Sequence, residues 1–170
     1  MGNIDVAFSS LTKTDDLSGL SCRNQIFGSY LRDRAGQDMR RRAATVVLLR
    51  KHDSEDIIGY YTIGSFGIAL TGLPEAQRKR LPRYPVVPTV LVGRLALDHR
   101  HEGMGYGQLL LVDALERAAR LDVAVRGVVV DAIDENAVGF YKQFGFIRPE
   151  IDPGRLILPI ETFLSAGGCS

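Results

Sequence analysis

The pattern of apolar and polar positions changes character near the middle of the chain. In the first half the apolar runs are short and rich in β-branched residues. "ATVVLLRK" (44–51) reads as a strand, "HDSED" as a turn, and "IIGYYTIGSFGIAL" (57–70) as the strand that returns, which makes a hairpin. Ahead of them "IDVAF" (4–8) is a weaker first strand. Residues 24–42 read as one helix, because Ile26 with Tyr30 and Phe27 with Leu31 stand four apart before a charged end. A short helix starts at Pro74, and the three prolines of "LPRYPVVP" (81–88) end it.

The second half is more regular. "TVLVGRLALD" (89–98) is a strand, a glycine turn follows, and a helix runs to about Leu121 with Leu111, Ala114, Leu115 and Ala118 on one side and Asp113, Glu116, Arg117 and Arg120 on another. "VRGVVVDAI" (125–133) is the next strand and Glu135 to Phe144 the next helix, so the order is β-α-β-α. "RLILPIETF" (155–163) reads as a last edge strand, since Pro159 suits no central one. These elements give an α/β or α+β fold, a mixed sheet covered by helices.

Composition narrows the class. The chain has 170 residues, 45% hydrophobic and 24% charged, with no repeat or linker, so a single domain over 1–170 is expected. No apolar run approaches the roughly 20 residues of a membrane span, and no secretion signal is read at the start. Cys22 and Cys169 make no disulfide framework and read as free thiols of a cytoplasmic protein. His99, His101 and Glu102 stand close together, but without another His or Cys cluster they form no zinc pattern, so no metal is expected. Net charge is only +1, yet "RDRAGQDMRRR" (32–42) and "QRKRLPR" (77–83) concentrate cations. Such runs are either solvated helix faces or the footprint of a polyanion.

The turn "RHEGMGYG" (100–107) sets Gly103, Gly105 and Gly107 between a strand and a helix whose first amides have no partner within the helix. Those donors and the helix dipole favour an anion, and the glycines let a diphosphate approach the main chain. Arg100 and His101 add positive or hydrogen-bonding character. Gln108 and Leu109 stand where a P-loop needs Lys and Ser or Thr, and the glycine spacing is not that of a Rossmann turn.

Arg100 to Gly105, R-x-x-G-x-G, resembles the acetyl-coenzyme A pyrophosphate loop of the GNAT N-acetyltransferases. "NAVGFYKQFGF" (136–146) resembles that family's next motif, an Asn-led helix carrying Phe-Tyr and closing at Gly145. "GYYTIGSFGI", "LPEAQRKRLPRYPVVPTVLVGRLALD" and, more loosely, "LSCRNQIFGSYL" are similar to the GNAT toxins of bacterial type II toxin–antitoxin systems, which acetylate aminoacyl-tRNA; Arg23 stands where that family often has Gly. The resemblance covers about residues 20 to 163.

The resemblance implies a GNAT fold, a mixed and mostly antiparallel sheet with helices on both faces, and acetyl-coenzyme A as cosubstrate. It implies that the main chain of Leu95, Ala96 and Leu97 holds the pantetheine arm and that Arg100, His101, Glu102, Gly103, Met104, Gly105, Gly107 and Gln108 surround the pyrophosphate. Asn136 and Phe140 then lie near the cofactor and Tyr141 near its sulfur. A lone tyrosine is otherwise a half-buried core aromatic; here a phenol with an ordinary pKa near 10 keeps a proton for a departing thiolate, so Tyr141 is the general acid. No carboxylate on "LVGRLAL" serves as a base, which suits an α-amine with a pKa near 7.7 to 8 better than a lysine near 10.4. Asp98 and Glu102 are expected to be structural or solvated.

Under the same resemblance, Arg78, Lys79, Arg80 and Arg83, with Arg40, Arg41 and Arg42, contact the tRNA backbone. The implied partners are aminoacyl-tRNA, a ribbon-helix-helix antitoxin through which alone operator DNA is reached, and a second copy in a homodimer. A GNAT enzyme acting on protein N-termini, lysines or a small amine remains the alternative, and a non-catalytic binding module a third reading.

Overall fold

The computed structural model describes residues 5–69, 71, 73, 75–80, 85–149 and 152–167. Among the described residues six strands form one sheet in sequence order, β1 (Val6–Ser10), β2 (Thr45–Lys51), β3 (Ile57–Ala69), β4 (Val86–Leu97), β5 (Gly127–Asp131) and β6 (Arg155–Pro159). The helices are α1 (Gln25–Asp33), α2 (Ala35–Arg40), α3 (Glu75–Arg78), α4 (Tyr106–Ala119), α5 (Glu135–Lys142) and α6 (Ile160–Ser165). Two compact units divide the chain, Met1–Gly64 with Arg94–Ala114 and Ser65–Gly93 with Leu115–Ser170.

In the first unit β1 runs antiparallel to β2, and β2 to the start of β3, with Leu48 opposite Tyr60 and Val47 opposite Tyr61. Val46 to Leu49 are all fully buried. Such an unbroken apolar run signals a strand covered on both faces. On one face Val46, Leu48 and Tyr60 pack with Leu31 and Ala35 of α1 and α2. On the other, the Tyr61 hydroxyl donates to Asp113 of α4 at 2.6 Å. Gly59 is required on that face: a Cβ there would meet the Ala96 carbonyl at 2.5 Å and Leu110 at 3.1 Å.

The single helix expected over 24–42 is two helices. Asn24 caps α1 by accepting from the Ile26 N–H at 3.1 Å. Arg34, with φ −127° and ψ −30°, breaks the run. The break lets α2 fold back so that the Tyr30 hydroxyl donates to Asp38 at 2.8 Å while Ala35 is fully buried. Ile26, four residues before the buried Tyr30, is 65% exposed.

In the second unit β4 runs parallel to β5, with Val90–Val92 opposite Val128–Val130, and β5 is antiparallel to β6. A parallel pair needs a crossover, and α4 supplies it. Ile68, Leu73, Val87, Val129 and Ile157 form one buried apolar cluster of this unit. Two expectations are corrected here. The strand read from Thr89 starts earlier, at Val86, and there the Pro88 carbonyl accepts from the Arg126 N–H at 2.9 Å. The last strand stops at Pro159, which caps α6, so "IETF" is helical. No helix among the described residues is long and apolar enough to cross a membrane.

Candidate active site

In the first unit, β4 delivers Leu95, Ala96 and Leu97 to Asp98, a 3₁₀ turn over His99–His101, and the glycine turn that opens α4. Ala96 is buried and its two neighbours half-buried. The register that pairs β4 with β5 ends at Val92, three residues earlier.

Asp98 is fully buried and caps the 3₁₀ turn. Its Oδ1 accepts from the Arg100 N–H and Nε, each at 2.9 Å, and its Oδ2 from the Ser21 N–H at 3.0 Å and Arg100 Nη2 at 3.2 Å. Burial alone would raise its pKa, but the Arg100 side-chain bonds, the two backbone donors and the Arg100 charge outweigh it and hold the carboxyl at about 2. The main chain joins in: the Asp98 N–H donates to the Ile58 carbonyl and the His99 N–H to that of Ser21, both at 2.8 Å. Arg100 thus turns its Nε and Nη2 inward to Asp98 and shapes the loop while its side chain stays half exposed. Sequence reading missed this clamp, although an acid two residues before an arginine at a strand end was a signal for it.

Beyond the clamp, Glu102 pairs with Arg23 at 2.5 Å. His101 sets its ring edge-on to Tyr106, with centroids 6.1 Å apart. Burial first, then the Lys51 charge, lowers its pKa, so it offers a neutral imidazole at pH 7. Gly103 and Gly105 have φ of +75° and +86°, the left-handed region that L side chains enter at a cost of roughly 1–2 kcal/mol. Nothing stands within 4 Å of a Cβ at either position, so the space above both is open. The first helical bond of α4 runs from the Leu109 N–H to the Gly105 carbonyl at 3.3 Å, which leaves the amides of Tyr106, Gly107 and Gln108 ahead of the ladder. Met104 and Gln108 are exposed. The turn is a concavity of main-chain donors suited to an anion.

In the second unit, Asp134 caps α5 by accepting from the Ala137 N–H at 2.8 Å, and Glu135 is held by two bonds from Arg148. Asn136 is exposed on the first turn and Phe140 half-buried. Tyr141 is 6% exposed, its ring 5.2 Å from that of Phe140 and 5.5 Å from that of Phe146. Among the described residues its hydroxyl has no hydrogen-bond partner. Burial, and secondarily the Asp131 charge, push its pKa well above the ordinary 10, so it holds its proton throughout the neutral range. Gly145, at φ +93°, ends the segment as expected for a helix stop.

The expected polyanion contacts divide likewise. Arg40, Arg41 and Arg42 are exposed at the end of α2 in the first unit, and Arg78, Lys79 and Arg80 are exposed at α3 in the second, Lys79 in an ion pair with Glu75 at 3.6 Å. Arg83 lies outside the described residues.

Comparison with known proteins gives these arrangements a context. Residues 20–146 match the acetyltransferase (GNAT) family. The chain is 31% identical over 132 residues to the probable toxin TacT of Sinorhizobium fredii, covering 72% of this chain and 73% of that one. It is 29% identical over 151 residues to a tRNA-acetylating toxin of Mycobacterium tuberculosis, covering 87% and 88%. Among solved structures, AtaT complexed with acetyl-methionyl-tRNAfMet superposes with a TM-score of 0.88 at 28% identity, covering 96% of this chain and 99% of that one. A tyrosine-to-phenylalanine variant of AtaT, bound to the C-terminus of the antitoxin AtaR and acetyl-CoA, gives 0.78 at 25% identity, covering 95% and 97%.

Proposed function

The chain belongs to the GNAT acetyltransferase family, and from that premise we propose that it is a toxin that moves an acetyl group from acetyl-coenzyme A to the α-amino group of aminoacyl-tRNA and so blocks translation. The observation that carries this reading is the likeness over nearly the whole chain to AtaT in its complex with acetylated methionyl-tRNA. The family model runs through residues of both units, which supports taking them as one acetyltransferase domain.

The residues present fit the coenzyme. Left-handed Gly103 and Gly105 keep open the space that a Cβ would fill, and the amides of Tyr106, Gly107 and Gln108 supply donors for a diphosphate. Bound acetyl-coenzyme A supplies an acetyl group already activated as a thioester. The main chain of Leu95 to Leu97, past the last residue paired with β5, binds the pantetheine arm as an added strand. Arg100 and Asp98 fix the loop, His101 offers a neutral hydrogen-bonding ring to the phosphates, and Asn136 and Phe140 bound the cofactor from α5. Tyr141 holds at Oη the proton that a departing thiolate takes up. The acceptor amine, with an ordinary pKa near 7.7 to 8, is neutral often enough at physiological pH to need no protein base.

Exposed Arg78, Lys79 and Arg80, with Arg40, Arg41 and Arg42, meet the tRNA phosphates under this reading. The protein then acts in the cytoplasm, is restrained by a small ribbon-helix-helix antitoxin that alone connects it to operator DNA, and pairs with a second copy. The AtaT–AtaR complex supports the antitoxin part. Incubation with labelled acetyl-coenzyme A and individually charged tRNAs tests the proposal. Label is expected on at least one aminoacyl-tRNA at its α-amine; label only on peptide N-termini or lysines would replace this reading with the broader GNAT one. Charge reversal at Arg78 and Arg80 is expected to weaken tRNA acetylation, most at low salt and less as salt rises, with coenzyme binding unchanged.

A further inference from the structure

The first unit contains a concavity that acetyl transfer, as proposed, leaves unused. A cleft of about 530 Å³ is lined by Ile26, Ser29, Tyr30, Asp33 and Arg34 of the α1–α2 segment and by Arg94 of β4. That volume lies in the range of small-molecule sites. Arg94 is the anomaly within it, the only charged residue in the twelve-residue strand "VVPTVLVGRLAL". A cation in such a run calls for a reason.

Its guanidinium carbon lies 3.6 Å from the centroid of the Tyr30 ring. That ring is fixed. Tyr30 is 5% exposed, its hydroxyl donates to Asp38, and it stacks at 6.4 Å on Tyr60. The strand beneath is fixed too, because the Arg94 N–H donates to Thr62 Oγ1 at 3.0 Å. The guanidinium therefore lies over a rigid aromatic, and Arg94 lines the cleft beside it. A preorganised planar cation of this kind is a platform for a nucleobase. Exposed Arg34 adds a cation for a phosphate, and exposed Asp33 an acceptor for a ribose hydroxyl or an exocyclic amine. Two arginines against one carboxylate disfavour a polyamine.

We propose that this cleft takes the terminal nucleoside of the aminoacylated acceptor strand, its base stacked on Arg94, its phosphate at Arg34 and its hydroxyl or amine at Asp33. The inference rests on the proposed function, since the amino acid of a charged tRNA is esterified to that terminal ribose. It makes Arg94 a residue that recognises the acceptor through its nucleotide and not through its amino acid.

The test compares two acceptors carrying the same amino acid, the charged tRNA and the simple methyl ester, and measures competition by a CCA trinucleotide. Arg94→Ala is expected to lower kcat/KM on charged tRNA roughly 10- to 100-fold, the loss of one stacked base, while the ester reacts as before. Arg94→Lys keeps the charge without the plane and should recover little. Coenzyme affinity and the unfolding midpoint, measured on each variant, separate recognition from misfolding. Tyr30→Phe, which keeps the ring, serves as the gentler second variant and should retain most activity. Equal losses on both acceptors, or full rescue by lysine, would overturn the proposal. A wild-type protein inactive on every charged tRNA yet inhibited by the trinucleotide in an Arg94-dependent way would instead overturn the proposed function and leave the nucleoside site standing.

Discussion

Asp98 and Tyr141 are both almost sealed from water, at 0% and 6% exposure, and yet their protons meet opposite fates. Around Asp98 every direction supplies a donor: two backbone N–H groups and two atoms of one guanidinium. The carboxyl is stripped of its proton down to about pH 2. Around Tyr141 the neighbours are the rings of Phe140 and Phe146, and the phenol keeps its proton well beyond its ordinary range. Burial raises both pKa values; the hydrogen bonds to Asp98, with the Arg100 charge beside them, reverse the sign there, and nothing of the kind opposes burial at Tyr141. One environment makes a fixed charge that shapes a binding turn, and the other stores a removable proton.

Deleting the proton donor is the strongest way to break this contrast. Tyr141→Phe removes an oxygen that bonds to no described residue, so the core should tolerate it and the unfolding midpoint should hold or rise. Turnover on charged tRNA is expected to fall about 10²- to 10⁴-fold, the usual range for a general acid, with coenzyme affinity unchanged in calorimetry. A variant with undiminished turnover would reduce Tyr141 to a core aromatic.

The counterpart, Asp98→Asn, should act on stability first. An amide nitrogen at either oxygen position would face a donor, Ser21 N–H on one side or Arg100 on the other. The sign follows from the lowered pKa: the charge stabilises the fold fully above the unfolded value of 3.8 and ceases to do so as pH falls to about 2. That difference amounts to roughly 2 kcal/mol at neutral pH. Chemical denaturation at pH 7 and at pH 2 checks it, since the gap between wild type and variant should shrink at the lower pH. A gap that persists unchanged would mean that packing, not charge, is what Asp98 contributes.

The two regions were unequally legible in the sequence. The strand, glycine turn and amphipathic helix around Gly103 and Gly105 followed from local rules, because positive-φ glycines and helix mouths leave marks within a few residues. So did the stop of α5 at Gly145. The Arg100 half of the Asp98 clamp left a local mark, but the other half was hidden, since Ser21 lies 77 residues away and no periodicity encodes such a bond. The break at Arg34 was hidden for a related reason: it is bound up with a Tyr30–Asp38 hydrogen bond that helical spacing does not register. Arg94 was written plainly in an otherwise uncharged strand, but its meaning needed the Tyr30 ring beneath it.

The smallest expected effects sharpen the comparison most, because they use the same substitution in both regions. A Cβ added at Gly105 or at Gly139 would meet nothing within 4 Å, so neither alanine would clash. They differ in backbone. Gly105 is at φ +86°, where alanine costs about 1 kcal/mol, whereas Gly139 lies inside α5 with ordinary helical geometry, where alanine gains about 0.5–1 kcal/mol. Gly105→Ala should therefore lower the unfolding midpoint by a few degrees and Gly139→Ala raise it by a similar amount. Their effects on the coenzyme should separate further. The methyl group introduced at Gly105 enters the open space assigned to the diphosphate and should weaken acetyl-coenzyme A binding beyond what strain explains, while Gly139→Ala leaves affinity alone. Equal affinities in the two variants would show that the space above Gly105 is not where the anion sits, and the binding half of the contrast would have to be sought elsewhere on α4.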